Sequence, residues 1–137
     1  MTPFSVILYS GDFDRIHFGL LTATAAACMD RSVNIFVTMG ACRAFAGNWQ
    51  SLSLSSSAVR HCATATELNE HFRTQHIATF EELLEAVKDL SIRVIVCETG
   101  LRAENLTIDM LGCNLSVTVG GMVSFLQHAK GGEIVTF

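Results

Sequence analysis

Charge is scarce in this chain, and basic charge is scarcer still. Only 16% of its 137 residues are charged, nine bases stand against thirteen acids, and the formal net charge is -4. The pI is near 5.6. A nucleic-acid-binding protein needs a basic footprint to neutralise phosphates, and none is present. Half of the residues are hydrophobic and mean hydropathy is +0.39. That excludes a disordered chain and points to a compact fold, with apolar surface to spare for contact with copies of itself. The length predicts one domain spanning 1–137, long enough to build a core without staples.

Long apolar runs are also missing. The longest uncharged stretch, Met110 to Ala129, is interrupted by Asn114, Ser116, Thr118, Ser124, Gln127 and His128 and broken at Gly120-Gly121. No membrane span is expected there. Met1-Thr2-Pro3-Phe4 has no basic segment ahead of an apolar one and no small-residue cleavage site. No export signal is expected, so the cytoplasm is the default location. There is no CxxC pair, and the five cysteines are an odd number spread evenly, as free thiols in a reducing compartment would be. The dinucleotide, P-loop and GxSxG fingerprints are absent, since Ser10-Gly11-Asp12-Phe13-Asp14 matches none of them; no cofactor is expected. No metal is expected either. His61, His71, His76 and His128 lack ligand spacing, His71 and His76 standing one residue beyond a helical i, i+4 pair, and single cysteines on three loops (Cys42, Cys97, Cys113) are a weak donor set.

What is present alternates. Phe4–Tyr9 is a short apolar run ended by Ser10-Gly11, and predicts a buried strand. Asp12 or Asp14 then caps a helix from about Arg15 to Met29, whose small residues (Gly19, Ala23, Ala25, Ala26, Ala27) let it lie close on a sheet. Ser32–Thr38 predicts a second strand, followed by Met39-Gly40-Ala41-Cys42. Gly47 to Ser57 is a serine-rich excursion, and a polar amphipathic helix is expected between Thr64 and Arg73. Thr79-Phe80-Glu81-Glu82 is a capping box, ahead of an apolar stripe at Phe80, Leu83, Leu84 and Val87. Ile92–Cys97 predicts a third strand, Leu101–Asn105 a short helix and Ser116–Val119 a fourth strand. Met122, Phe125, Leu126 and Ala129 mark a helical stripe, and Glu133–Phe137 a last strand. Strands alternating with helices, each apolar on both faces, predict a parallel α/β sheet covered on both sides.

In such a sheet, ligands gather outside the carboxyl ends of the strands. Cys97 closes the third strand just before a helix start, where solvent reaches it and helix amides favour thiolate over thiol. Arg102 adds to that effect if its side chain folds back, whereas the Glu98 carboxylate opposes it. The plainer reading makes Cys97 a small apolar residue ending a core strand. Cys42, after the second strand, faces Cys97 if the two strand ends are close, and then resolves an oxidised sulfur as a disulfide; it is more readily a packing residue beneath the excursion, as is Cys113. Cys28 and Cys62 are read as structural. His17, in the first helical turn, is a candidate to touch an anion or tune a thiol, and is more readily a surface residue near the cap.

The segment Val94-Ile95-Val96-Cys97-Glu98-Thr99-Gly100-Leu101-Arg102 resembles the strand–cysteine–helix segment of the DsrE/DsrF/TusD-like sulfur-relay proteins. Ile7-Leu8-Tyr9-Ser10-Gly11-Asp12, Met39-Gly40-Ala41-Cys42 and Thr79-Phe80-Glu81-Glu82-Leu83-Leu84 are similar to a bacterial, peroxiredoxin-like branch of that family. The resemblance covers the chain except for about Gly47 to Thr64. It implies a single DsrE/DsrF-like domain: a three-layer α/β/α sandwich with a five-stranded, mostly parallel sheet, assembled as a trimer or hexamer. It also implies that Cys97 accepts a sulfur atom as a persulfide and passes it on, with Gly100 and Arg102 in the supporting turn. The relay members often carry paired basic residues after that cysteine; here Ala103 and Glu104 follow Arg102.

Three functions follow. The first is a cysteine-dependent sulfur carrier or transferase subunit, serving donor and acceptor proteins or small thiols. The second is a non-catalytic, oligomeric small-molecule-binding module with Cys97 in the floor of its pocket. The third is a thiol redox protein pairing Cys97 with Cys42 or Cys113.

Overall fold

The computed structural model describes residues 2–112 and 115–137. The chain runs β1 (Phe4–Leu8), α1 (Phe13–Cys28), β2 (Val33–Val37), a 3-10 helix over Met39–Phe45, a second over Trp49–Ser51, α2 (Ala65–Thr74), α3 (Phe80–Asp89), β3 (Arg93–Cys97), α4 (Glu98–Ala103), a 3-10 turn over Ile108–Met110, β4 (Val117–Gly120), α5 (Met122–Ala129) and β5 (Glu133–Thr136). The strands form one sheet in the order β4-β3-β2-β1-β5, and every pairing is parallel. With helices on both faces this is a three-layer α/β/α fold, as the sequence predicts.

Strand parity sorts the core. Val6, Leu8, Val33, Ile35, Val37, Val94 and Val96 face one way, into the larger apolar cluster beneath α1 and α3. Phe36, Ile95 and Cys97 face the other way, where Phe125 and Ala129 of α5 cover them. The cover is uneven. All of β2 is buried, whereas every residue of β5 is exposed. The apolar runs predict strands covered on both faces, and β5 departs from that because it is an edge strand on a face where α5 is the cover. Within α5, Phe125 and Ala129 are buried, but Met122 and Leu126, expected in the same stripe, stand exposed.

Local chemistry explains the helix starts. Both bonds of the α3 capping box are made, Glu82 N–H to the Thr79 hydroxyl at 3.2 Å and Thr79 N–H to Glu82 Oε1 at 3.0 Å. Thr64 caps α2 by accepting from Glu67 N–H at 3.1 Å. The α1 start differs from expectation. Asp12 is the N-cap but makes no side-chain cap bond. Instead the Ser53 hydroxyl donates to Asp12 Oδ1 at 2.7 Å. Ser55 N–H donates to Asp14 Oδ1 at 2.8 Å, and the Ser55 hydroxyl donates to Asp14 Oδ2. The two aspartates thus hold the serine-rich excursion against α1. Among the described residues no helix is long and apolar enough to cross a membrane.

Candidate functional site

Cys97 ends β3 in extended backbone (φ -74, ψ 123) and is the N-cap residue of α4. Being odd-numbered in a strand whose even residues face α1 and α3, it turns its side chain to the opposite side of the sheet. There it is packed with Phe36, Ile95, Phe125 and Ala129 and is only 6% exposed. Phe36 and Phe125 stack over this cluster with ring centroids 4.9 Å apart. This corrects two expectations. The thiol is buried rather than open at the surface, because aromatic side chains of β2 and α5 close over it. The helix sharing its face is α5; α4 is only six residues long.

One flank of the thiol is thin. Cys97 pairs in register with Gly120, so the neighbouring strand position has no side chain. A methyl group added at Gly120 would meet nothing nearer than Ile95 Cγ2 at 3.4 Å, with Ser124 Oγ at 3.9 Å, and one added at Gly121 would meet nothing within 4 Å. Gly121 is the N-cap of α5 and no side chain caps that helix. The strand position beside Cys97 is therefore backbone without a side chain.

The turn after Cys97 is clamped by Gly100. A Cβ at that position would lie 2.5 Å from Met39 N and 3.0 Å from Cys42 Sγ. Met39 itself takes a left-handed conformation (φ 47) to start the 3-10 helix against which this turn packs. Cys42 is fully buried there, its thiol directed at the Val37 carbonyl at 3.8 Å. Burial pushes that thiol up to about 12, with repulsion from Cys97 and Glu104 adding to the effect. Cys42 and Cys97 belong to separate apolar clusters on opposite faces of the sheet. Both are free thiols, each packed in its own apolar cluster.

The remaining candidates fall elsewhere. Cys113 lies outside the described residues. Cys28 is exposed and Cys62 half-buried. Arg102 is exposed at the end of α4 and forms no ion pair among the described residues; Arg43 binds Glu104 instead, at 2.7 Å. His17 is not the surface residue expected. It is 3% exposed, donates from Nε2 to the Ala78 carbonyl at 2.8 Å and packs on Phe72 with centroids 4.3 Å apart. Burial lowers its pKa, opposed by the bond to Ala78. No local signal marks this position, because its hydrogen-bond partner Ala78 and its ring partner Phe72 of α2 are distant in sequence.

Two further features escape sequence reasoning. His71 pairs with His61, ten residues away, rather than with His76. A cleft of about 780 Å³ opens beyond the carboxyl ends of β1, β2 and β5, lined by residues such as Tyr9, Asp12, Arg15, Met39, Glu104 and Thr136. This is where an open α/β sheet places ligands. Cys97 does not line it. Among the described residues, no three metal-ligating side chains converge.

No protein-family model matches the chain, and no curated protein is significantly similar to it in sequence. Solved structures do match. The ychN protein of E. coli superposes with a TM-score of 0.65 at 15% identity, covering 100% of both chains. A conserved protein of unknown function, BT1422 of Bacteroides thetaiotaomicron, has a TM-score of 0.56 at 14% identity, covering 98% of this chain and 94% of its own. At such identities the similarity is one of fold, and over its whole length the chain shares the α/β/α fold of the ychN protein.

Proposed function

We propose that the chain is a cysteine-dependent sulfur carrier or sulfurtransferase subunit of the DsrE/DsrF/TusD-like type, working through Cys97. One observation carries the reading: a free thiol at the carboxyl end of a central strand, roofed by Phe36 and Phe125 and walled on one side only by Gly120 and Gly121. A carried persulfide needs shelter from competing solvent thiols, which the aromatic cover supplies, and the glycine flank is the side from which a donor would have to approach.

The chemistry is thiolate exchange at sulfur. Ionised Cys97 attacks the outer, sulfane sulfur of a donor persulfide. A new S–S bond forms as the donor's S–S bond breaks, and the electron pair leaves with the donor thiolate, which takes up a proton. Delivery repeats the step: an acceptor thiolate attacks the outer sulfur of the Cys97 persulfide, and Cys97 departs as thiolate. No oxidant or reductant is consumed. Donors and acceptors are proteins or small thiols, in the cytoplasm, and the carrier works as a homotrimer or hexamer whose interfaces add shelter. Exposed apolar side chains on α5 and β5 (Val123, Leu126, Ile134, Val135) supply surface for such contacts. Gly100 is a positioning residue, fixing the turn that carries Cys97.

A second reading has its own support. The low exposure of Cys97 and the cleft at the ends of β1, β2 and β5 fit a small-molecule-binding module in which Cys97 only packs. Intact-mass analysis after incubation with a persulfide donor separates them. The carrier gains one sulfur atom and Cys97→Ser does not. An equal gain in Cys97→Ser removes Cys97 from the mechanism, and no gain in the wild type favours the binding module.

A further inference from the structure

The tightest pair of metal-binding nitrogens outside the Cys97 site lies at the far end of the serine-rich excursion. His61 follows that segment and His71 is in α2, and their rings meet. His61 Nε2 and His71 Nδ1 are 3.4 Å apart, with ring centroids 4.6 Å apart and planes at 82°. Two metal–nitrogen bonds of about 2.0–2.1 Å meeting at a tetrahedral angle place their nitrogens about 3.3–3.4 Å apart. The two nitrogens are hydrogen-bonded to each other, and they stand at the spacing a chelating pair would have.

The surroundings suit a cation. His61 is exposed and His71 half-buried, so water can complete the coordination shell. Glu67 stands one turn before His71 on α2, and its carboxylate accepts from Ala63 N–H at 3.2 Å, which brings negative charge to the same corner. Arg60 precedes His61 in the chain, and Arg73, two residues after His71, is paired with Glu70 at 3.2 Å; Cys62 follows His61 and is half-buried. Imidazole nitrogen suits late first-row divalent cations, whereas calcium and magnesium demand oxygen.

We propose that His61 and His71 form a two-nitrogen chelate for a borderline divalent transition cation such as Ni²⁺, Co²⁺ or Zn²⁺, clipping the segment around residue 61 onto α2. The site is separate from Cys97 and does not depend on the sulfur-carrier reading. Binding requires both ring nitrogens free of protons, so it weakens on acidification.

The test uses the full chain with its thiols reduced. Ni²⁺ is titrated calorimetrically, and Co²⁺ is followed by absorption. The wild type is expected to show one saturable site, lost in His61→Ala and in His71→Ala and kept in His76→Ala, His128→Ala and Cys62→Ser. The Co²⁺ spectrum should lack thiolate-to-metal charge-transfer intensity. Because a variant can lose binding through misfolding, Zn²⁺-induced shifts of histidine ring resonances in the wild type give a second readout, expected at His61 and His71 alone. The proposal is overturned by no saturable binding, by binding that survives either histidine substitution, by a thiolate band, or by shifts centred on other histidines.

Discussion

Replacing Gly100 with alanine tests how firmly the turn carrying Cys97 is clamped. The added methyl group would meet Met39 N at 2.5 Å, Cys42 Sγ at 3.0 Å and the Thr38 carbonyl carbon at 3.1 Å. Two of these atoms are main chain and cannot rotate away. The overlap costs about 3 kcal/mol, the upper end for overpacking, because backbone must move. Alanine recovers about 1 kcal/mol through its better helix propensity. The net loss is about 2 kcal/mol, or roughly 8 °C in melting temperature for a domain of this size. Gly120→Ala is the control, since its methyl group would touch nothing nearer than 3.4 Å. Removing a strand glycine there is expected to be neutral or to stabilise by about 0.5–1 kcal/mol. Urea unfolding followed by the fluorescence of Trp49, the single tryptophan, reads both. The reasoning fails if Gly100→Ala lies within about 0.5 kcal/mol of wild type, or if Gly120→Ala is equally damaging.

Three other outcomes are expected. His17 has its pKa lowered by burial, so the unfolded chain takes up the proton first as pH falls; stability is intact above about pH 6.5 and is lost as pH drops below it. Denaturation curves across that window should flatten in His17→Gln, and an unchanged acid slope would refute the assignment. Thr79→Ala removes the hydroxyl that caps α3 and should cost about 1 kcal/mol, with a loss near zero contradicting the capping account. Asp14→Ala releases Ser55 from α1, so trypsin should cut at Arg60 faster without a matching fall in global stability. Unchanged cleavage would mean that the aspartate does not hold this segment.

The architecture was legible because its strands are short apolar runs between turn residues, and because the Thr79 cap acts through a neighbour three residues away. Parity was not legible. Val94, Ile95, Val96 and Cys97 are all apolar, so nothing in the sequence tells which face Cys97 takes, and the dipole expected from α4 belongs to the wrong side. The roles of Asp12 and Asp14 were hidden for a different reason: both sit where a cap belongs, yet their partners are Ser53 and Ser55, 41 residues on. His17 and the His61–His71 pair depend likewise on contacts between distant segments. The 3-10 helix after β2 starts at a left-handed methionine, a conformation that side-chain pattern does not announce. Ile134 and Val135 read as core and lie exposed at the sheet edge, since hydropathy alone does not separate a central strand from an edge strand.

Peptide mapping of the sulfur-loaded protein tests the proposed carrier most directly. Trypsin cuts after Arg93 and Arg102, and the released segment 94–102 contains Cys97 and no other cysteine. After incubation with a persulfide donor and blocking of the free thiols, the extra sulfur should sit on that peptide and be released when an acceptor thiol is added. Sulfur found only on peptides carrying Cys28 or Cys62, or on none, would contradict the assignment.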